Sequence, residues 1–230
     1  MAPKLQKFDN HFLEIPSTIL VLGPTNSGKT ALVSKLIERW TSVTNSGDPI
    51  DKLVICYGGK YQDAYEEMLD SLDPSSEGEI HCNFPRNLSW NSNRTNVLIL
   101  DDIFGEELKK NVELERIFCV DSHHEKVTCI LILQDLTCQS QTIRTCLRNA
   151  QYIFLTPSSK NGTLLVTLQR MLFPSKRGYL SACWDLCFRE GGKIGDYMLI
   201  DCSTGCPSDF RVRTGLMEDL GKIFMPERKM

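Results

Sequence analysis

The chain has 230 residues, of which 41% are hydrophobic and 24% are charged, and its formal net charge is −3. This composition fits one large globular domain and excludes a protein that coats nucleic acid through an overall positive charge. No apolar run approaches the about 20 residues of a transmembrane helix, and residues 1–16 lack the apolar core of a signal peptide. We therefore expect a protein that is neither membrane-spanning nor secreted, with reduced cysteines.

Short apolar runs alternate with longer amphipathic segments along the chain. The predicted elements, in chain order, are a strand at residues 18–22, a helix at 29–40, a strand at 52–56, a helix at 61–72, a short strand at 79–82 within a polar excursion, a strand at 97–100, a helix at 106–120, a strand at 127–133, a helix at 140–147, a strand at 152–155, helices at 160–172 and 176–189, and strands at 197–201 and 210–213. Strands such as VLIL are apolar throughout, which is typical of strands covered on both faces.

This alternation predicts an α/β fold with a mostly parallel central sheet flanked by helices, joined by right-handed crossovers. We divide the chain into an N-terminal extension (residues 1–16), one α/β domain (residues 17–214) and a C-terminal tail (residues 215–230).

A phosphate-binding pattern joins the first predicted strand of the domain to the first predicted helix. The sequence GPTNSGKT fits G-x-x-x-x-G-K-[ST], in which backbone N–H groups and the following helix N-terminus surround a phosphate. The pattern predicts an ATP-binding loop formed by Gly23, Pro24, Thr25, Asn26, Ser27, Gly28, Lys29 and Thr30. Lys29 is expected to contact the β- and γ-phosphates, and the Thr30 hydroxyl is expected to bind Mg²⁺.

Polar side chains follow two further apolar runs. VLIL is followed by Asp101 and Asp102, and CILIL is followed by Gln134. Because ligands of open α/β sheets lie at the carboxyl ends of the strands, we expect Asp101 to hold Mg²⁺ and Asp102 to activate the attacking water. Gln134 is expected to contact the γ-phosphate or that water. The alternatives are a helix N-cap for the two acids and a solvated loop position for the glutamine.

Two pairs of arginines are further candidates. Arg144 and Arg148 share one face of the predicted helix after Gln134, where Arg144 is expected to act as an arginine finger toward a neighbouring subunit's nucleotide. A solvated basic face is the alternative. Arg211 and Arg213 alternate on the last predicted strand, which directs both to one side, toward DNA or another subunit.

With these elements in order, the chain resembles the FtsK–HerA group of P-loop ATPases. More narrowly it resembles the genome-packaging ATPases of double-stranded DNA viruses, of the Polinton/Maverick, adintovirus and virophage type and, more distantly, the poxvirus type. The resemblance covers about residues 12–214, and the segments that carry it are GPTNSGKT, CYGGKYQDAYEEM, LILDD, DSHHEKVTCILILQDL, RTCLRNAQYIFL, FPSKRGYLSACWD and GDYMLIDCSTGCPSDFRVRT.

The resemblance implies an additional-strand, RecA/FtsK-like P-loop core in a homo-oligomeric ring that moves double-stranded DNA, without regard to sequence, into a capsid. It implies capsid proteins as partners and a location inside the host cell, in the nucleus or a viral factory, or in the virion. By the same resemblance Lys29 and Thr30 bind nucleotide and Mg²⁺, Asp101 binds Mg²⁺ and Gln134 is the sensor. His123 and His124 match the family without an assigned role.

One residue departs from the family pattern. Many relatives carry glutamate where this chain has Asp102, which places the base about one methylene farther from the water. The alternatives to a DNA motor are a nucleotide-dependent small-molecule or nucleoside kinase and a nucleotide-holding clamp without turnover. The paired acids and Gln134 favour hydrolysis over transfer to a small alcohol, and Lys29 with Asp102 favours turnover over holding.

Overall fold

A computed structural model describes residues 3–8, 12–85, 88–103, 115–118, 125–134, 141–158, 162–189, 192–193, 196–218 and 221–226. The strands are β1 (Pro3–Phe8), β2 (Thr18–Leu22), β3 (Lys52–Tyr57), β4 (Glu77–Cys82), β5 (Asn96–Asp101), β6 (Val127–Leu133), β7 (Tyr152–Leu155), β8 (Met198–Asp201), β9 (Val212–Thr214) and β10 (Gly221–Pro226). The helices are α1 (Lys29–Glu38), α2 (Trp40–Val43), α3 (Ala64–Asp70), α4 (Gln141–Asn149), α5 (Gly162–Leu172) and α6 (Tyr179–Cys187).

The described strands form one sheet in the order β1-β10-β9-β8-β7-β2-β6-β5-β3-β4. Strands β7 to β4 in this order run parallel, whereas the pairs from β7 out to β1 are antiparallel. Strand β6 is inserted between β2, which precedes the phosphate-binding pattern, and β5, which carries the acids. The mostly parallel sheet with flanking helices confirms the predicted fold class. Strand β6 is the additional strand that the prediction placed in this sheet.

Helices cover both faces of the parallel part of the sheet, because the side chains of each strand alternate between two cores. In β2, Ile19 and Val21 lie in the core beside α1, α2 and α3. Leu20 and Leu22 lie in the opposite core, beside α4, α5 and α6. All four side chains are buried. Burial on both faces explains why these strands are apolar throughout.

The register brings the ends of the parallel strands to one edge of the sheet. Leu22 of β2 pairs with Leu133 of β6 and with Leu155 of β7, and Asp101 of β5 pairs with Ile132 of β6. The loops that follow these strands therefore meet at that edge.

Several elements differ from the sequence-based expectation. Strand β4 pairs with β3 along its whole length instead of forming a short strand within an excursion. Strands β1 and β10 fall in the predicted extension and tail, yet they pair with each other and extend the sheet. The division at residues 17 and 214 stays a prediction, and most of the predicted helix 106–120 lies outside the described residues. Within the described ranges, no helix is long and apolar enough to cross a membrane.

The expectation that Arg213 faces DNA or another subunit is wrong. Its guanidinium forms an ion pair with Asp201 Oδ2 at 3.0 Å, and the two side chains are only 12% and 5% exposed. The guanidinium carbon also lies 4.8 Å from the centre of the Phe8 ring. The pairing of β9 with β8, in which Arg213 lies opposite Leu199, brings the arginine beside the end of β8 and so inside the fold.

Truncation of Phe224 tests whether β10 belongs to the core. Phe224 is 1% exposed, so Phe224→Ala is expected to lower the free energy of unfolding by ~3–5 kcal/mol through lost burial and a cavity. The matched control, Val166→Ala, shortens a side chain on α5 that is 47% exposed, and it should change the free energy of unfolding by less than ~0.5 kcal/mol. Urea denaturation measures both. Similar losses in the two variants would contradict this role of β10.

Candidate functional site

The loop of residues 23–30 connects β2 to α1 and runs against the end of β7. A Cβ atom at Gly23 would lie 2.0 Å from Thr156 Oγ1, so only glycine allows this close approach. Ser27 Oγ lies 2.6 Å from the same Thr156 oxygen and donates to the Pro24 carbonyl at 2.8 Å. These contacts fix the course of the loop against the end of β7.

Lys29 is the first residue of α1, and its side chain turns back into the loop. Its Nζ donates to the Pro24 carbonyl at 2.8 Å, and the residue is 8% exposed. Burial lowers the pKa of Lys29, whereas the negative charges of Asp102 and Asp101 act in the opposite direction. A desolvated ammonium group beside backbone N–H groups is suited to an anion such as a phosphate.

Asp101 receives several hydrogen bonds at the tip of β5. Thr30 Oγ1 and the Tyr65 hydroxyl each donate to Asp101 Oδ2 at 3.0 Å, and Gln62 Nε2 donates to it at 3.3 Å. The residue is 2% exposed, and its burial raises the pKa of the carboxyl group while the Tyr65 and Thr30 hydrogen bonds lower it. Thr30 and Asp101 thus form a pair of oxygen donors of the type that Mg²⁺ prefers.

Gln134 connects Asp102 to the phosphate-binding loop. Gln134 Nε2 donates to Asp102 Oδ2 at 2.7 Å, and Thr25 Oγ1 donates to Gln134 Oε1 at 2.8 Å. Asp102 has φ 48°, a left-handed conformation that aspartate and asparagine tolerate better than most residues. Its Oδ1 atom is buried and has no hydrogen-bond partner in the part of the chain that is described. This oxygen is therefore available as an acceptor.

The structure brings five of the predicted site residues together, namely Lys29, Thr30, Asp101, Asp102 and Gln134. Their roles stay predictions.

Arg144 lies on the exposed side of α4. The predicted candidates His123 and His124 lie outside the described residues. Sequence reasoning missed Gln62 and Tyr65, although both occur in CYGGKYQDAYEEM, a segment that carries the family resemblance.

The protein has the fold class of the P-loop nucleoside triphosphatases, with a strand inserted between β2 and β5. The loop between β2 and α1 fits their phosphate-binding sequence pattern.

Solved structures with a similar fold include the assembled ATPase EscN from the type III secretion system of enteropathogenic E. coli, with 12% sequence identity, a TM-score of 0.36 and coverage of 60% of this chain and 42% of that chain. They also include the Legionella pneumophila ATPase DotB, with 13% identity, a TM-score of 0.36 and coverage of 77% of this chain and 53% of that chain. The chain thus matches about half the length of each. No protein-family model and no curated protein sequence matches the chain.

Asp101→Asn tests the electrostatics of the buried carboxyl group. Because the folded protein raises this pKa above its ordinary value of 3.8, the ionised group opposes folding, and this penalty appears as the pH rises through the raised pKa. The neutral variant escapes this penalty, so its Tm in EDTA should exceed that of the wild type at neutral pH. The difference should shrink toward pH 4.

Thermal unfolding from pH 4 to pH 8 measures this difference, with the exposed Asp48→Asn as the matched control for loss of one charge. A variant that is less stable than the wild type at every pH would contradict the sign.

Proposed function

We propose that the protein is an ATP-hydrolysing motor of the FtsK–HerA type that moves double-stranded DNA into a viral capsid. The observation that carries the hydrolytic part is the buried Oδ1 of Asp102, which lies beside the Gln134 amide and near Lys29 and has no hydrogen-bond partner among the described residues. A buried carboxylate oxygen without a partner is costly, so it is suited to accept a hydrogen bond and then a proton from a water molecule.

Nucleotide binding uses the residues of the loop. Phosphate oxygens of ATP compete with the Pro24 carbonyl for Lys29 Nζ, which is already desolvated. Thr30 and Asp101 would hold Mg²⁺, which when bound offsets the negative charge of the phosphates. The residues fit this ion because both offer hard oxygen donors, 3.0 Å apart.

Hydrolysis then needs one base and one orienting group. The water oxygen forms a bond to the γ-phosphorus, the bond from that phosphorus to the β–γ bridging oxygen breaks, and ADP leaves with that electron pair. Asp102 Oδ1 accepts the proton of the water. Gln134 holds the other oxygen of Asp102 and also accepts from Thr25, so it links the base to the loop that holds the nucleotide.

The motor part of the proposal is supported by the sequence segments that resemble those of the packaging ATPases. In this proposal ATP binds between the subunits of a homo-oligomeric ring inside the host cell. The ring binds DNA through its phosphates and docks on a capsid protein. Arg144, exposed on α4, is the proposed arginine finger of the neighbouring subunit.

ATP hydrolysis with and without linear double-stranded DNA tests this function. We expect DNA to stimulate hydrolysis several-fold and Asp102→Asn to lower it by about 10²–10⁴-fold, the usual contribution of a general base. Asparagine also tolerates the left-handed backbone of this position, so the variant should fold. Lys29→Ala should also lower hydrolysis strongly, whereas replacement of Lys35, an exposed lysine on the same helix, by alanine should not.

The other outcomes identify the alternatives. Hydrolysis that is indifferent to DNA would contradict the motor. Phosphoryl transfer to a nucleoside or another small alcohol would establish the kinase, and nucleotide binding without turnover would establish the clamp.

A further inference from the structure

The turn that follows β3 is pressed against the end of β5. Gly58 N donates to the Asp101 carbonyl at 3.0 Å. A Cβ atom at Gly58 would lie 2.5 Å from the Asp102 carbonyl oxygen and 2.7 Å from Ile103 Cα, both of which are backbone atoms that cannot easily move. The absence of a side chain at Gly58 is therefore what allows the chain to cross the strand tip that carries the acids.

After this crossing, the start of α3 lies over Asp101. Gln62 Nε2 and the Tyr65 hydroxyl both donate to Asp101 Oδ2, and Gln62 Nε2 also lies 3.2 Å from the Tyr65 oxygen. Thr30 donates to the same oxygen from α1. Helices α1 and α3, which cover the same face of the sheet, thus bring donors to a single carboxylate oxygen.

Tyr65 is held rigidly at this point. It is 1% exposed, and its ring stacks on Tyr57 with centroids 5.5 Å apart and meets Tyr61 edge-on at 5.6 Å. A tyrosine hydroxyl is protonated at neutral pH, and burial raises the pKa of Tyr65 further, so the group stays a donor. A hydroxyl fixed by aromatic packing restricts the rotation of the carboxylate that it contacts.

We propose that Tyr65 and Gln62 are positioning residues that orient the Asp101 carboxylate for Mg²⁺-dependent nucleotide binding. This inference rests on the proposed nucleotide function of the site. The donors hold Oδ2, so they set the plane of the carboxylate and the direction of its other oxygen. Groups that orient a metal-binding side chain in this way typically change metal affinity or activity by about 10–100-fold when they are removed.

Nucleotide affinity of Tyr65→Phe, measured with a fluorescent ATP analogue in Mg²⁺ and in EDTA, tests the inference. We expect binding about 10-fold weaker than the wild type in Mg²⁺ and equal to it in EDTA, because only the metal-dependent part uses Asp101. Electron paramagnetic resonance of Mn²⁺ should show a similar loss of metal affinity without any turnover. Tyr61→Phe is the matched control, since its hydroxyl bonds to Glu66 and it should match the wild type.

The outcomes separate this inference from the proposed function. Equal weakening in Mg²⁺ and EDTA would mean that Tyr65 supports the whole pocket, and no weakening in either would mean that it does not act on Asp101. Both results overturn the inference while leaving nucleotide binding in place. A wild-type protein that binds no Mg²⁺–nucleotide would overturn the proposed function, and the inference with it.

A pair of neighbouring glycines provides a second test. A Cβ atom at Gly59 would lie no closer than 3.6 Å to the Asp102 side chain, an ordinary contact, whereas that at Gly58 meets backbone. Gly58→Ala should therefore displace the turn and weaken Mg²⁺-dependent nucleotide binding by about 10-fold or more, while Gly59→Ala should not. Circular dichroism checks that both variants fold. Equal affinities in the two folded variants would contradict the role of this crossing.

Discussion

The carboxylate of Asp101 lies at the tip of a central strand, almost without contact with solvent, and the site is organised around the cost of that burial. Desolvation disfavours its charge, while hydroxyl donors from α1 and α3 and the nearby Lys29 favour it. The hydroxyl groups of Thr30 and Tyr65 both donate to Asp101 Oδ2 and so offset part of the cost of burying this charge. A charge that the fold compensates only in part is well placed to gain from a bound cation.

The insertion of β6 between β2 and β5 places Gln134 between the phosphate-binding loop and the second acid. From that position Gln134 accepts from Thr25 and donates to Asp102, so the loop and the second acid share one side chain. In a sheet with β2 directly beside β5, no strand end would lie between them. The additional strand is therefore the structural origin of the link between the loop of residues 23–30 and Asp102.

The central strands were predictable because burial on both faces leaves continuous apolar runs such as those of β5 and β6. Strands β1 and β10 were not, because β1 is mostly exposed and polar and its strand conformation depends on pairing with β10. Tyr65 and Gln62 were missed because their role also depends on a tertiary contact, the one with Asp101. In the sequence, a tyrosine on the buried face of a helix has the pattern of an ordinary core residue.

The sequence by itself determined the loop of residues 23–30 between β2 and α1, the acids after β5 and the glutamine after β6, since each is a local pattern of a strand and the residues directly after it. Only the tertiary structure decided which side chains meet there. Strand order and register bring Tyr65 to Asp101 and turn Arg213 inward to Asp201. These contacts join residues far apart along the chain, and local spacing carries no information about such distances.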